Sequence, residues 1–325
     1  MKKNSAIKIT VLIFLSFLVF VSVSCATKMP ETPVLTKYDD LFFWKIEGTD
    51  AKGQLSRIFV LGTIHVGDER LYPIPEEITK AYGSAERVYG EISTDGWKSL
   101  MIKTSNRMSD SKKEAALIEE ERGYAWFDTL TEEQQAFLIN KIGKQTVEGQ
   151  KSNMPWVINN LFSNVTTSNT GLYSNYSYDM HFIEVSNNFG ITMLGLDEVD
   201  VQLDILDYGD IDFQLEVLTN AIDELLEDPE SANKEVISLY EAYLTGSEEK
   251  ISEVLFSDME SEIKENPEME GYYNTLFLDR NTNWAETFSQ LLHEGGDTFV
   301  FAGCGHFVGK DSVFEIMKTK GDLVF

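Results

Sequence analysis

The chain holds only four histidines, and two of them stand in the same setting. Phe59-Val60-Leu61-Gly62-Thr63-Ile64-His65 and Phe299-Val300-Phe301-Ala302-Gly303-Cys304-Gly305-His306 each run a short apolar stretch into a Gly-x-x-His turn. Glycine lets the backbone turn sharply there, and the carboxyl ends of strands are where open α/β sheets place their ligand crevices. The two imidazoles therefore converge on one site if their strands are parallel neighbours. A single histidine after a strand is more often a cap or a satisfied core residue; the repetition of the turn is what favours a site.

Glu91 is the third candidate, set in the apolar run Val88-Tyr89-Gly90-Glu91-Ile92. A carboxylate inside a buried run needs a partner, whereas on an edge strand it would simply face water. Two histidines and one carboxylate leave coordination positions open for water, as a catalytic metal requires, so His65, His306 and Glu91 form the expected ligand set. Glu91 serves alternatively as the general base, since it cannot fully be inner ligand and free base at once. Arg280 and Asn281 lie just ahead of an apolar helix, Trp284–Leu292. There the arginine could stabilise an oxyanion or steer a carboxylate, or it could form a surface ion pair with Asp279 or Glu286. Cys304 stands between two glycines, too close along the turn to His306 for a good Cys-His dyad, and reads as a small packing residue. His181 on a probable helix and His293 near the end of another are weaker candidates.

The elements that must position these groups form an α/β pattern. Leu41–Ile46 and Arg57–Leu61 read as paired strands, followed by a helix over Glu76–Ala85 and a strand over Arg87–Ile92. Gly190–Gly195 and Asp297–Ala302 read as further buried strands. Between them, amphipathic helical spacing recurs over Phe213–Leu226, Gln134–Ile142, Trp156–Phe162, Met180–Phe189, Val236–Leu244 and Asn283–Leu292. The expected architecture is a mixed central sheet from two β-α-β halves with a large helical insertion at about 97–290. The polar, tyrosine-rich stretch Asn164–Tyr178 reads as a long loop or lid.

With 42% hydrophobic and 12% aromatic residues, 325 residues can bury a large core. The formal charge of −27 repels phosphate backbones and excludes a nucleic-acid partner. Only Cys25 and Cys304 are present, so no disulfide framework exists. Lys2, Lys3 and Lys8 precede an apolar run over Ile9–Val23 that ends at Cys25, the layout of a signal peptide over 1–24. Val-Ser-Val-Ser-Cys is similar to a lipobox, which makes Cys25 the expected lipidation site and 25–40 a tether to the membrane. The expected location is thus the bacterial cell envelope, with the domain over 41–325 facing the periplasm or exterior.

Seven segments, in order, resemble the TraB/GumN family with its PrgY and Tiki-like members. They are Leu61–Gly67, the Pro73-Ile74-Pro75 turn, Tyr89–Ile92, Tyr178–Phe182, Leu194–Asp197 with Gln202, Arg280-Asn281 with Trp284-Ala285, and Gly303–Gly309. The resemblance implies an α/β core shared with erythromycin esterase and the haem-binding ChaN lipoproteins. It carries site roles onto His65, Glu91, Arg280, Asn281 and His306, and substrate contacts onto Tyr178 and Asp179. It also implies a divalent-metal-dependent hydrolase of peptides or proteins, with Mn, Co or Zn as the ion. The alternative it allows is a non-catalytic lipoprotein that binds haem, pheromone or peptide in the same pocket. Two residues depart from the pattern: Asp197 replaces the usual glutamate, and Cys304 the usual small residue.

Overall fold

The computed structural model describes residues 32–324. The expected signal peptide and the expected lipidation site, Cys25, lie outside the described residues. Among those described, no helix is long and apolar enough to cross a membrane.

Six strands form one mixed sheet: β1 Val34–Lys37, β2 Phe43–Thr49, β3 Leu55–Thr63, β4 Arg87–Ile92, β5 Met193–Asp197 and β6 Gly296–Gly303. Their order across the sheet is β1-β2-β3-β6-β4-β5. The first three are antiparallel, while β3, β6, β4 and β5 run parallel. The hairpin between β2 and β3 is set by Asp50, whose carboxylate accepts from the Lys52 N–H at 2.8 Å and the Gln54 N–H at 2.7 Å. Strands β3 and β6 read as continuous apolar runs because helices cover both of their faces.

On one face, Phe299 packs against Tyr82 of the helix Glu76–Ser84 and Phe182 of the helix Tyr178–Phe189. On the other, Phe307 packs against Trp284 and Phe288 of the helix Asp279–Glu294 and Phe314 of the helix Val313–Lys320. A separate core of Trp126, Phe127, Leu138, Trp156, Phe162, Leu218 and Ile222 holds the helical insertion together.

The mixed α/β class stands, but the two halves interleave. β6 inserts between β3 and β4, and β5 returns from within the helical stretch to pair with β4. β5 starts later than the apolar run suggests because Gly190 caps the preceding helix in the left-handed region, φ 68°. Part of the expected tether is sheet: Val34–Lys37 pairs with β2, and Leu35 is buried. The expected loop 164–178 is held down by a bridge, with Gly67 N–H donating to Tyr173 O at 3.0 Å and Tyr173 N–H to Gly67 O at 2.8 Å.

Candidate functional site

Strands β3 and β6 are parallel neighbours in register, Gly62 opposite Ala302 and Thr63 opposite Gly303. The two Gly-x-x-His turns therefore leave the same edge of the sheet side by side. β4 lies next to β6, so Glu91 sits on an inner strand rather than an edge, and Asp197 ends β5 beyond it. Each of the four parallel strands thus delivers one titratable group to its carboxyl end.

Arg280 gathers two of these groups. Its Nη2 donates to Glu91 Oε2 at 2.7 Å and its Nε to Asp197 Oδ2 at 2.8 Å. Gln202 Nε2 donates to the same two oxygens, at 3.2 and 3.0 Å. Trp284 Nε1 donates to Asp197 Oδ1 at 2.7 Å, and the guanidinium lies over the indole ring at 4.9 Å. Glu91 Oε1 accepts from the Gly303 N–H at 2.9 Å. Arg280 is only 3% exposed, which removes the surface ion pair as its explanation. It stands within a helix rather than ahead of one. A π-helical turn, Asn274–Leu278, leads into Asp279–Glu294 without a break, and Asp279-Arg280-Asn281-Thr282 only looks like a start signal.

Each histidine is fixed through Nδ1. Asn281 Nδ2 donates to the Asp311 carbonyl at 2.8 Å, which turns Asn281 Oδ1 towards His306 Nδ1 at 2.6 Å. An amide oxygen only accepts, so Nδ1 of His306 carries the proton and Nε2 keeps a free lone pair. His65 Nδ1 lies 3.5 Å from Asp179 Oδ2, and Asp179 Oδ1 accepts from the Thr63 hydroxyl at 2.6 Å. Asp179 Oδ2 is buried and has no hydrogen-bond partner.

These contacts split the ionisation of the groups. Burial opposes the charge on Glu91, but Arg280, helped by His306, His65 and the Gly303 N–H, holds the carboxyl down at about 2. Burial pushes His306 down to about 3, with Arg280 adding to the effect and Glu91 opposing it. The neighbouring Asp179 carboxylate raises His65 to about 9. Burial pushes Asp197 up against the pull of Arg280. Burial also raises the Cys304 thiol to about 12, which agrees with a packing role and not a nucleophilic one.

His65, Glu91, Asp179, Gln202, Arg280 and His306 all line one cavity of about 620 Å³, whose remaining wall is mostly apolar. Gly303 keeps a gap open between the two central groups. A Cβ there would sit 3.5 Å from Glu91 Oε1 and 3.7 Å from His306 Cδ2. Two expected site residues stand behind the cavity. Asn281 orients His306, and Tyr178 is buried with its hydroxyl donating to Leu71 O at 2.7 Å. Asp197, named in the sequence only as a departure from the family pattern, is a further participant in the cluster. Its signal is the one that revealed Glu91, an acidic residue closing an apolar strand.

Among the described residues no group of three or more His, Cys, Asp or Glu side chains converges on a point that could hold a metal ion. The donor chemistry nonetheless fits one. Metal-binding histidines typically have their other ring nitrogen engaged by an oxygen acceptor, as His306 Nδ1 is here, and Asp179 Oδ2, which lacks a hydrogen-bond partner, lies 3.5 Å from His65 Nδ1.

A model of the TraB/PrgY/gumN family matches residues 42–324. An uncharacterized protein of Treponema pallidum (strain Nichols) is 26% identical over 95% of this chain and 89% of its own length. No solved structure matches the chain.

Proposed function

From the premise that the chain belongs to the TraB/PrgY/gumN family, we propose that it is a cell-envelope lipoprotein that hydrolyses peptides with a divalent metal ion, Mn, Co or Zn, held by His65 and His306. The observation that carries this reading is the pair of adjacent Gly-x-x-His turns, with His306 anchored at Nδ1 by Asn281 and His65 Nδ1 facing Asp179. A bound ion would supply Lewis acidity and a water acidic enough to attack a carbonyl near neutral pH.

The protein's own groups do the rest. Glu91, held at about 2, is a poor general base and suits a ligand or an electrostatic role. His306 is neutral at physiological pH and needs no deprotonation to donate its lone pair. Asp179 orients His65 and stabilises its protonated form, so His65 must lose a proton before it can bind a metal. Two carboxylates share one guanidinium in the Glu91–Arg280–Asp197 cluster, which leaves that wall negative and receptive to a cation. The apolar remainder of the cavity limits competing water.

That apolar lining is the observation that favours the second reading, a binding protein without turnover. The haem form of it finds no support from the tyrosines, because Tyr178 is committed to Leu71 and neither Tyr173 nor Tyr176 lines the cavity. Metal analysis of the purified protein, followed by peptide-library cleavage with and without chelator, separates the two. The hydrolase reading expects bound metal and chelator-sensitive cleavage, both lost in His65→Ala and His306→Ala. Variants that bind metal as tightly as the parent would overturn it.

A further inference from the structure

A second cavity, of about 670 Å³, lies against the first. The two share Phe277 and Gly305 as a common wall, and a Cβ on Gly305 would meet the Phe277 ring at 3.2 Å. Its apolar surface comes from Phe256, Met259, Ile263, Tyr273 and Phe277. These side chains are incompletely covered. The helices Met259–Glu265 and Glu268–Tyr273 and the turn Asn274–Leu278 follow one another without burying a single residue. Apolar groups left half-covered in a concavity mark a place where another molecule completes the packing.

The rim states the charge of that molecule. Glu253, Glu260 and Glu270 are exposed and, among the described residues, make no ion pair. Asp311 adds a fourth carboxylate, and Lys310 is the single cation lining the cavity. Negative charge around an apolar hollow complements a ligand that joins a positive charge to an apolar body. A free small cation would leave most of the volume unfilled. An extended chain could instead fill this cavity and continue past Phe277 into the neighbouring one.

We propose that the second cavity binds a peptide segment in which Lys or Arg stands beside a large apolar side chain. If the hydrolase reading holds, this is a subsite that selects the substrate; the binding itself needs no turnover. Occupancy would be felt at His306, since Asn281 and Phe277 both line the second cavity and both contact that ring.

The test is fluorescence anisotropy of dye-labelled Gly-Gly-Phe-Arg-Phe-Lys-Gly-Gly with the full-length protein in chelator, which silences metal-dependent cleavage. We expect saturable binding that weakens with salt, and affinity at least about tenfold lower for the same peptide with Glu in place of Arg and Lys. The combined variant Glu253→Gln, Glu260→Gln and Glu270→Gln should lose about tenfold. The charge-matched control Glu119→Gln, Glu120→Gln and Glu121→Gln, on the helix Thr94–Arg122 and outside the cavity's lining, should bind as the parent does. No binding of the basic peptide, equal binding of the acidic one, or equal losses in both triple variants would each overturn the proposal. Because the binding is read in chelator, its outcome is independent of turnover; binding in chelator followed by no cleavage once Mn, Co or Zn is restored would defeat the hydrolase reading alone.

Discussion

Acidification should destabilise this protein chiefly through one side chain. His306 is held at about 3 by burial, against an ordinary histidine value of about 6.5, so below that value the unfolded chain binds a proton that the folded one refuses. Stability from this group is complete above about pH 6.5 and is lost as the pH falls towards 3. Between about pH 7 and pH 4.5 the loss is about 2–3 kcal/mol. His181, also lowered by burial, adds a loss of the same sign in this window, which the comparison with a His306 variant cancels. Glu91, depressed to about 2, starts to lose its contribution only as the pH drops through its ordinary value, costing under about 1 kcal/mol by pH 4.5. His65 has the opposite sign: its value is raised, so its contribution is constant below about 6.5 and fades only as the pH climbs towards 9. With its side chain 73% exposed, solvent screening keeps that contribution small. The assay is urea unfolding followed by circular dichroism, in chelator, for the parent and His306→Gln at the two pH values. The variant should start less stable and lose about 2–3 kcal/mol less on acidification than the parent does. If the two proteins lose stability in parallel, the buried neutral imidazole is wrong.

Arg280→Met should cost about 3–5 kcal/mol in the same unfolding assay, because it strands Glu91 and Asp197 without their counter-charge; a loss under about 1 kcal/mol would mean the cluster contributes little. Asp179→Asn should bring the His65 titration down from about 9 towards the ordinary histidine range, as read by NMR, and an unmoved titration would show that Asp179 is not the cause. Alkylation of Cys304 should be slow in the folded protein near neutral pH and fast in urea; a fast folded-state reaction would contradict its burial and raised value. Gly303→Ala should change stability by less than about 1 kcal/mol, since its φ of −50° and the 3.5 and 3.7 Å distances are ordinary for a side chain. The added methyl should nevertheless weaken metal binding by filling the gap between Glu91 and His306, and unchanged metal affinity would remove that gap from the site.

The parts of the site that were legible in the sequence are those carried by local pattern. Short apolar runs with glycine at their ends identify β3, β6 and the turns that launch His65 and His306. The acidic residue inside an apolar run identifies Glu91. What stayed hidden depends on pairing between distant segments. Nothing near residue 300 says that β6 enters between β3 and β4, and without that order neither the inner position of Glu91 nor its bond to Gly303 follows. Asp197 and Arg280 each look like surface residues until the fold stacks β4, β5 and the helix Asp279–Glu294 together. At the front, Val34–Lys37 is too short and polar to read as a strand, yet with Leu35 turned inward it extends the sheet. A soluble fragment cut at Tyr38 would therefore strip an edge from the protein.

The strand at the centre of the sheet is also the last one the ribosome makes. β3 and β4 are complete by residue 92, but the edges they turn towards each other stay unpaired until Gly296–Gly303 arrives. Closure thus waits on contacts more than two hundred residues apart along the chain, the kind of pairing that folds slowly and leaves strand edges open to other chains meanwhile. A C-terminal truncation ahead of Gly296 removes β6 and splits the sheet down its middle instead of trimming it. His306 emerges three residues after that strand is finished, so the cleft and the sheet that supports it are completed together.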